Sequence, residues 1–355
     1  MRRVSGGEQG LPAGVFATGV GSWPGTDPLE AATTIIGELD SLPHLVELPD
    51  RGVGADMIGR ASALLVDLRF DATTRGYRLA DRPGAVSRRA SDLLKFDLDA
   101  LEEAWETAGL VGSGRPVKVQ SVGPLTLAAE VELPNGHRAL TDHGALRDLS
   151  ESLAEGLARH ADEVARRLGA NVVVQLDEPL LRTVLEGSLK GPSVLNTVRA
   201  LPSPEAVHHL DTVINAVARP VLLHSCDSRP ELDTMRRTSA AAIGIDASTI
   251  RPSDYDELGE LLDSAKLLAL GLIPTSAPKV PLTWRTAGEP AARLIDDLGF
   301  SRGMLAEKLV ITPACGLANA PLSWARQALT LAGEVAKSFA DDPTAIEIAR
   351  APQTR

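Results

Sequence analysis

Eight short runs of β-forming residues recur along the chain, separated by stretches with helical periodicity. They are Ala17 to Ser22, Leu45 to Pro49, Val117 to Gly123, Asn171 to Asp177, Pro220 to Cys226, Ala241 to Ser248, Lys266 to Ile273 and Leu309 to Gly316. NVVVQLD, PVLLHSC and KLLALGLI are almost continuously apolar, as strands covered on both faces must be. Between them, Ala145 to Leu168 carries Leu146, Leu149, Leu153 and Leu157 on one helical stripe. Pro204 to Val217 and Asp254 to Ser264 read as shorter helices with Ser203 and Ser253 as N-caps, and Pro321 to Phe339 as a last helix opened by proline. Strand–helix alternation builds parallel sheets from βαβ units. Eight units predict an α/β fold of the (β/α)8 TIM-barrel class, with an open doubly wound sheet as the rival. No Gly-rich phosphate loop opens a helix after the first run, which weakens a nucleotide-binding form of that rival.

A chain of 355 residues fits one barrel domain. The reading assigns 13–340 to that barrel, 1–12 to a flexible tail and 341–355 to a polar tail. Residues 50–116 are too many for one crossover helix. They are expected to form a helix from about Asp56 and an insertion around 67–100, lying partly over the C-terminal mouth of the barrel. The formal net charge of −11 and the 3% aromatic content argue against nucleic acid and anionic membranes as partners. No apolar run has the length of a membrane span, and MRRVSGGEQG lacks the apolar core of a signal peptide. A cytoplasmic location is expected. There a pair of cysteines points to metal binding or catalysis before a structural disulfide.

The reactive residues fall at one end of the runs. Ser22 ends the first; Asp177 and Glu178 close the fourth; His224 and Cys226 the fifth; Asp246 lies near the end of the sixth; Cys315 ends the eighth. In a barrel these positions gather at the C-terminal rim, where such enzymes keep their sites. His-x-Cys on a strand puts both side chains on one face. Singly, a buried cysteine is more often packing, and an Asp at a strand end often caps the next turn. Together, two thiolates, an imidazole and a carboxylate are a tetrahedral set for zinc, not for magnesium or calcium. His224, Cys226, Asp246 and Cys315 are the expected ligands. A zinc ion at such a site turns a bound thiol into a thiolate near neutral pH. The His208–His209 pair is expected at the solvated surface.

The segments ATGVGSWPGT, RPVKVQSVGPLTLA, VVVQLDEPLL, LLHSCDS, IGIDAS and TPACGLANA resemble the catalytic C-terminal barrel of the cobalamin-independent methionine synthase family. The resemblance covers most of the chain and implies a barrel of the UROD/methionine synthase type that transfers a methyl group to homocysteine. It implies zinc on His224, Cys226 and Cys315, with Asp246 where the family has a ligating Glu. Asp177 matches the carboxylate beside the homocysteine ammonium, Ser22 the residue holding its carboxylate, and Glu47 a second ammonium partner. The chain departs from the pattern in three ways. It carries one barrel, not two; Glu130 stands where a Trp stacks on the pterin; Ser276 stands where a His moves protons. The methyl donor is therefore left open between a folate and a corrinoid protein. Two alternatives are a corrinoid:coenzyme M-type thiol methyltransferase and a non-catalytic barrel that binds zinc or a sulfur amino acid.

Overall fold

The computed structural model describes residues 11–82, 84–191 and 198–348. Most of the expected N-terminal tail and residues 349–355 lie outside these. The strands are β1 (Phe16–Ala17), β2 (Phe70–Thr73), β3 (Gly76–Leu79), β4 (Val117–Val122), β5 (Val131–Glu132), β6 (Val172–Asp177), β7 (Val221–Ser225), β8 (Ala242–Asp246), β9 (Leu267–Ile273) and β10 (Leu309–Pro313). Seven of them form one parallel sheet in the order β1-β10-β9-β8-β7-β6-β4. The rest form a small sheet in the order β2-β3-β5.

The helices follow the chain as α1 (Pro28–Glu38), α2 (Met57–Ala61), α3 (Ala85–Thr107), α4 (Pro124–Glu130), α5 (His143–Leu168), α6 (Leu181–Glu186), α7 (Ser203–Val217), α8 (Leu232–Arg237), α9 (Tyr255–Asp263), α10 (Trp284–Asp297), α11 (Met304–Glu307) and α12 (Leu322–Asp341). α5 shows why such segments are helical. Asp142 Oδ1 accepts from Ala145 N at 2.9 Å, the leucine stripe is buried, and Gly169 ends the helix in the left-handed region. Two expected caps are corrected. Pro202 precedes α7, and Ser203 is its first residue, bonded to Thr234 Oγ1 at 2.8 Å. Ser253 lies in a 3₁₀ turn, and Asp254 precedes α9.

The expected second strand is also corrected. Leu45–Pro49 forms no ladder; residues 44–47 make single parallel bridges, His44 to Lys118 on β4 and Glu47 to Ser22 beyond β1. Leu45 N donates to Lys118 O at 2.8 Å, Glu47 N to Gly21 O at 3.1 Å, and Trp23 N to Glu47 O at 2.8 Å. One short segment thus touches both edges of the curled sheet. The expected helix from about Asp56 is α2, capped by the Asp56 side chain, and the longer crossover helix after it is α3, packed against α1 and α5.

Two apolar layers hold the sheet. Outside, helix stripes cover it. Inside, Phe16, Val173, Leu222, Ala242, Ala269 and Val310, from β1 and β6 to β10, meet in a separate cluster with Leu42. Side chains alternate along a strand, so two residues further on the same face comes Gln175 after Val173, His224 after Leu222 and Gly244 after Ala242. Apolar packing closes the floor, and polar groups begin one layer above it.

Candidate active site

A cavity of about 280 Å³ lies at the C-terminal strand ends, lined by Ser22, Glu47, Asp177, His224, Cys226 and Cys315, with Val20, Pro49, Ala55, Met57, Pro179, Gly316, Ala318 and Asn319. Six of the seven expected site residues are therefore together. Asp246 lines a neighbouring cavity of about 330 Å³ with Ser248, Thr275, Ser276 and Ala314. Its Oδ1 accepts from Ser248 N and Ser248 Oγ, both at 2.8 Å, so it caps the turn after β8. Of the described residues between 50 and 116, only Ala55 and Met57 reach the site cavity.

His224 is held from below. Its Nδ1 lies 2.7 Å from Asp177 Oδ1, across the β6–β7 register that pairs the two residues. A carboxylate only accepts, so Nδ1 carries a proton, and in the neutral imidazole Nε2 then carries the lone pair. Nε2 is buried and has no hydrogen-bond partner among the described residues. Cys226 and Cys315, 89 residues apart in sequence, meet with Cα atoms 5.8 Å apart and are joined as a disulfide. Among the described residues, no group of three or more His, Cys, Asp or Glu is spaced to hold an ion as it stands.

Glu47 is buried, and burial raises it to about 7; Arg60 opposes that shift and Asp177 adds to it. Arg60 Nε stands 3.5 Å from Glu47 Oε1, and its Nη1 lies 2.5 Å from buried Asp97, which Arg51 also grips at 2.8 Å. Glu178, next to Asp177, faces away. Its Oε1 accepts from Leu125 N at 2.9 Å, and Oε2 from Thr126 N at 2.8 Å and Thr126 Oγ1 at 2.6 Å. It caps α4, as carboxylates do at helix N-termini. Burial nonetheless raises it to about 7.

Sequence reasoning missed the polar layer beneath the cavity. Lys118 is fully buried, with Nζ donating to Gln175 Oε1 at 2.7 Å and to Val20 O at 3.0 Å. Burial lowers its ammonium to about 8, against the pull of Asp177 and Glu47. Gln175 Nε2 donates to Asp177 Oδ1 at 2.7 Å and Val20 O at 2.8 Å, and Gln120 Nε2 to Leu45 O at 2.6 Å. The signal was a Lys and two Gln inside strands with apolar neighbours, where a polar group must find partners. Glu130 ends α4 and is not among the described cavity residues; its carbonyl accepts from Arg138 Nη1 at 2.8 Å. The histidine pair is corrected too: His209 is buried against Ser150 Oγ at 3.1 Å.

A curled parallel α/β sheet with its cavity at the C-terminal strand ends defines the class, a barrel-type enzyme scaffold. Residues 15–338 match the family described as cobalamin-independent synthase, catalytic domain, and the chain belongs to that family. A B12-independent methionine synthase from Shewanella sp. W3-18-1, solved in complex with selenomethionine, is similar at TM-score 0.57 and 12% identity, over 92% of this chain and 98% of that one. A methyltransferase from Methanosarcina mazei is similar at TM-score 0.57 and 14% identity, over 94% and 96%. No curated protein sequence matches. Among the described residues no helix is long and apolar enough to cross a membrane.

Proposed function

We propose that the protein is a zinc-dependent S-methyltransferase acting on a thiol, with homocysteine as the acceptor. The observation that carries this is the His224 imidazole. It is oriented through Nδ1 by Asp177, has a buried Nε2 without a partner among the described residues, and shares one cavity with both cysteines. Metal-ligating histidines characteristically give their other N–H to a carboxylate. His224, Cys226 and Cys315, the last two as thiolates, would hold the ion. Asp246, at the end of the neighbouring strand β8, would complete the set. Bound there, zinc would supply the Lewis acidity that makes a thiol a thiolate at neutral pH.

The chain's own groups would do the rest. Asp177 accepts His224 and Gln175 on Oδ1, which leaves Oδ2 for the acceptor's ammonium. Glu47 sits in the same cavity as a second partner, and an incoming ammonium favours its charged form. Ser22 would hold the acceptor's carboxylate. Charged hydrogen bonds of this kind contribute about 1.5–3 kcal/mol each. No Lys or Arg is among the described cavity residues, which disfavours a sulfonate acceptor such as coenzyme M. The sheet is read as a barrel of seven ladder-paired strands closed by the single bridges of residues 44–47, in a single domain over 13–340 acting in the cytoplasm.

The test is to reduce the protein, strip and reload metal, and assay methyl transfer to homocysteine. Wild type should take up about one zinc per chain, and Cys226→Ser should lose most of it. Glu130 offers no aromatic platform, so transfer from methylcobalamin or a corrinoid protein should outrun transfer from methyltetrahydrofolate. Full zinc occupancy in Cys226→Ser sinks the metal assignment; no transfer from any donor by zinc-loaded wild type leaves a binding protein instead.

A further inference from the structure

We propose that Lys118 is a positioning residue that sets the tautomer and orientation of His224 through Gln175 and Asp177. The four residues form one chain of contacts across β4, β6 and β7. Lys118 Nζ reaches Gln175 Oε1 at 2.7 Å, Gln175 Nε2 reaches Asp177 Oδ1 at 2.7 Å, and Asp177 Oδ1 reaches His224 Nδ1 at 2.7 Å. An amide side chain fits its pocket almost equally well either way round. Here the direction is decided by its neighbours. An ammonium only donates and a carboxylate only accepts. With Gln175 reversed, its NH₂ would face the Lys118 ammonium and its oxygen would face the Asp177 carboxylate. Lys118 thus forces an N–H toward Asp177. That bond fixes the place of Asp177 Oδ1, and only a carboxylate held there takes the Nδ1 proton of a neutral His224 and leaves the buried Nε2 its lone pair.

A merely structural reading is weak on energetic grounds. Lys118 is fully buried, and an ammonium there costs far more than the methylenes of a Met or Leu of similar size. Its other bond, to Val20 O at 3.0 Å, is one that Gln175 Nε2 makes as well at 2.8 Å. The contact that only Lys118 supplies is the one to Gln175 Oε1. It does not itself touch the cavity, so it acts through the relay.

The experiment uses Lys118→Met, Gln175→Met and the double variant of the full chain. In the reduced, metal-free protein above neutral pH, long-range ¹H–¹⁵N spectra report which His224 nitrogen carries the proton. Wild type should show Nδ1–H alone, and each variant a mixture containing Nε2–H. Zinc affinity, read by chelator competition, should fall 10–100-fold, as it does when a ligand's orienting partner is lost. The double variant should be no worse than Gln175→Met alone, because the two act in series. An unchanged His224 pattern in both single variants overturns the proposal, as do additive effects in the double. Should Lys118→Met not fold, Nε2–H in wild type overturns it by itself. The zinc arm rests on the metal reading above, whereas the tautomer arm needs no metal. A wild type that binds no zinc, with variants that still shift tautomer, would separate the two failures.

Discussion

Asp177 and Glu178 are adjacent carboxylates with opposite tasks. Strand alternation sends Asp177 to the cavity and Glu178 to the backbone N–H groups that open α4. The two separate because successive strand residues point to opposite faces. Lys118, Gln120 and Gln175 interrupt the apolar runs of β4 and β6 before their C-terminal ends, so no strand-end motif marks them. Glu178 has a consequence for stability. It titrates near 7 in the fold against 4.5 in the free chain, because burial outweighs its three donors. Its contribution is therefore fullest below about pH 4.5 and is lost as pH rises through about 7. Over that range it should remove on the order of 3 kcal/mol from the unfolding free energy. Denaturant melts at intervals from pH 5 to 8 should show a shallower decline in Glu178→Gln than in wild type. Parallel declines would mean that Glu178 does not drive the slope. Glu47, raised for the same reason, contributes to both proteins and cancels in the comparison.

At the scale of elements, β4 and β6 to β10 each fall within a predicted run, because a strand buried on both faces leaves a continuous apolar signature. Leu45–Pro49 fails as a strand for a local reason. Pro43 and Pro49 lack N–H groups, and the N–H groups between them are split, Leu45 toward β4 and Glu47 toward the β1 side. No ladder can grow on either side. α3 was legible and passed over: Leu94, Leu98, Leu101 and Trp105 repeat at helical spacing and are buried. The turn after β10 is the element that most directly shapes the site. Leu317 N donates to Ser22 O at 3.0 Å, and a Cβ on Gly316 would overlap Ser22 Oγ. Gly316→Ala should displace the Ser22 hydroxyl while sparing the metal ligands' own contacts. Losing one charged hydrogen bond, on the order of 1.5–3 kcal/mol, predicts a rise in acceptor KM of roughly tenfold or more. Zinc content should stay at the wild-type level. An unchanged KM would remove Ser22 from the acceptor site.

On the scale of the whole molecule, the sheet is uneven. From β4 through β6 to β10, neighbours pair by ladders of several residues. Between β4 and β1, among the described residues, the same circuit is bridged only by residues 44–47 and a handful of backbone bonds. Sequence spacing showed that a run belonged there but not how thinly it would be bonded, since that depends on where two neighbours it cannot specify end up. This stretch also carries Glu47, and its partner Ser22 lies across the bridge in the same cavity. Weak pairing next to a ligand is a recipe for local opening at less than the global unfolding free energy. Leu45, Val46 and Leu48 are fully buried, so the opening should be rare but measurable. Amide hydrogen exchange is the reading. Leu45, Glu47 and Trp23 should exchange faster than Val174, Leu223 and Leu270, which sit mid-ladder. Homocysteine with zinc should slow the first group selectively, because an acceptor held by Ser22, Glu47 and Asp177 ties the seam to the ladder across the cavity. Binding at a hundredfold excess over Kd contributes about 2.7 kcal/mol to the bound state, enough to slow exchange through such an opening by about a hundredfold. Equal protection of the two groups in the free protein would show that the seam is as firm as the ladders. Slowing spread evenly over the sheet would show that the acceptor does not bridge it.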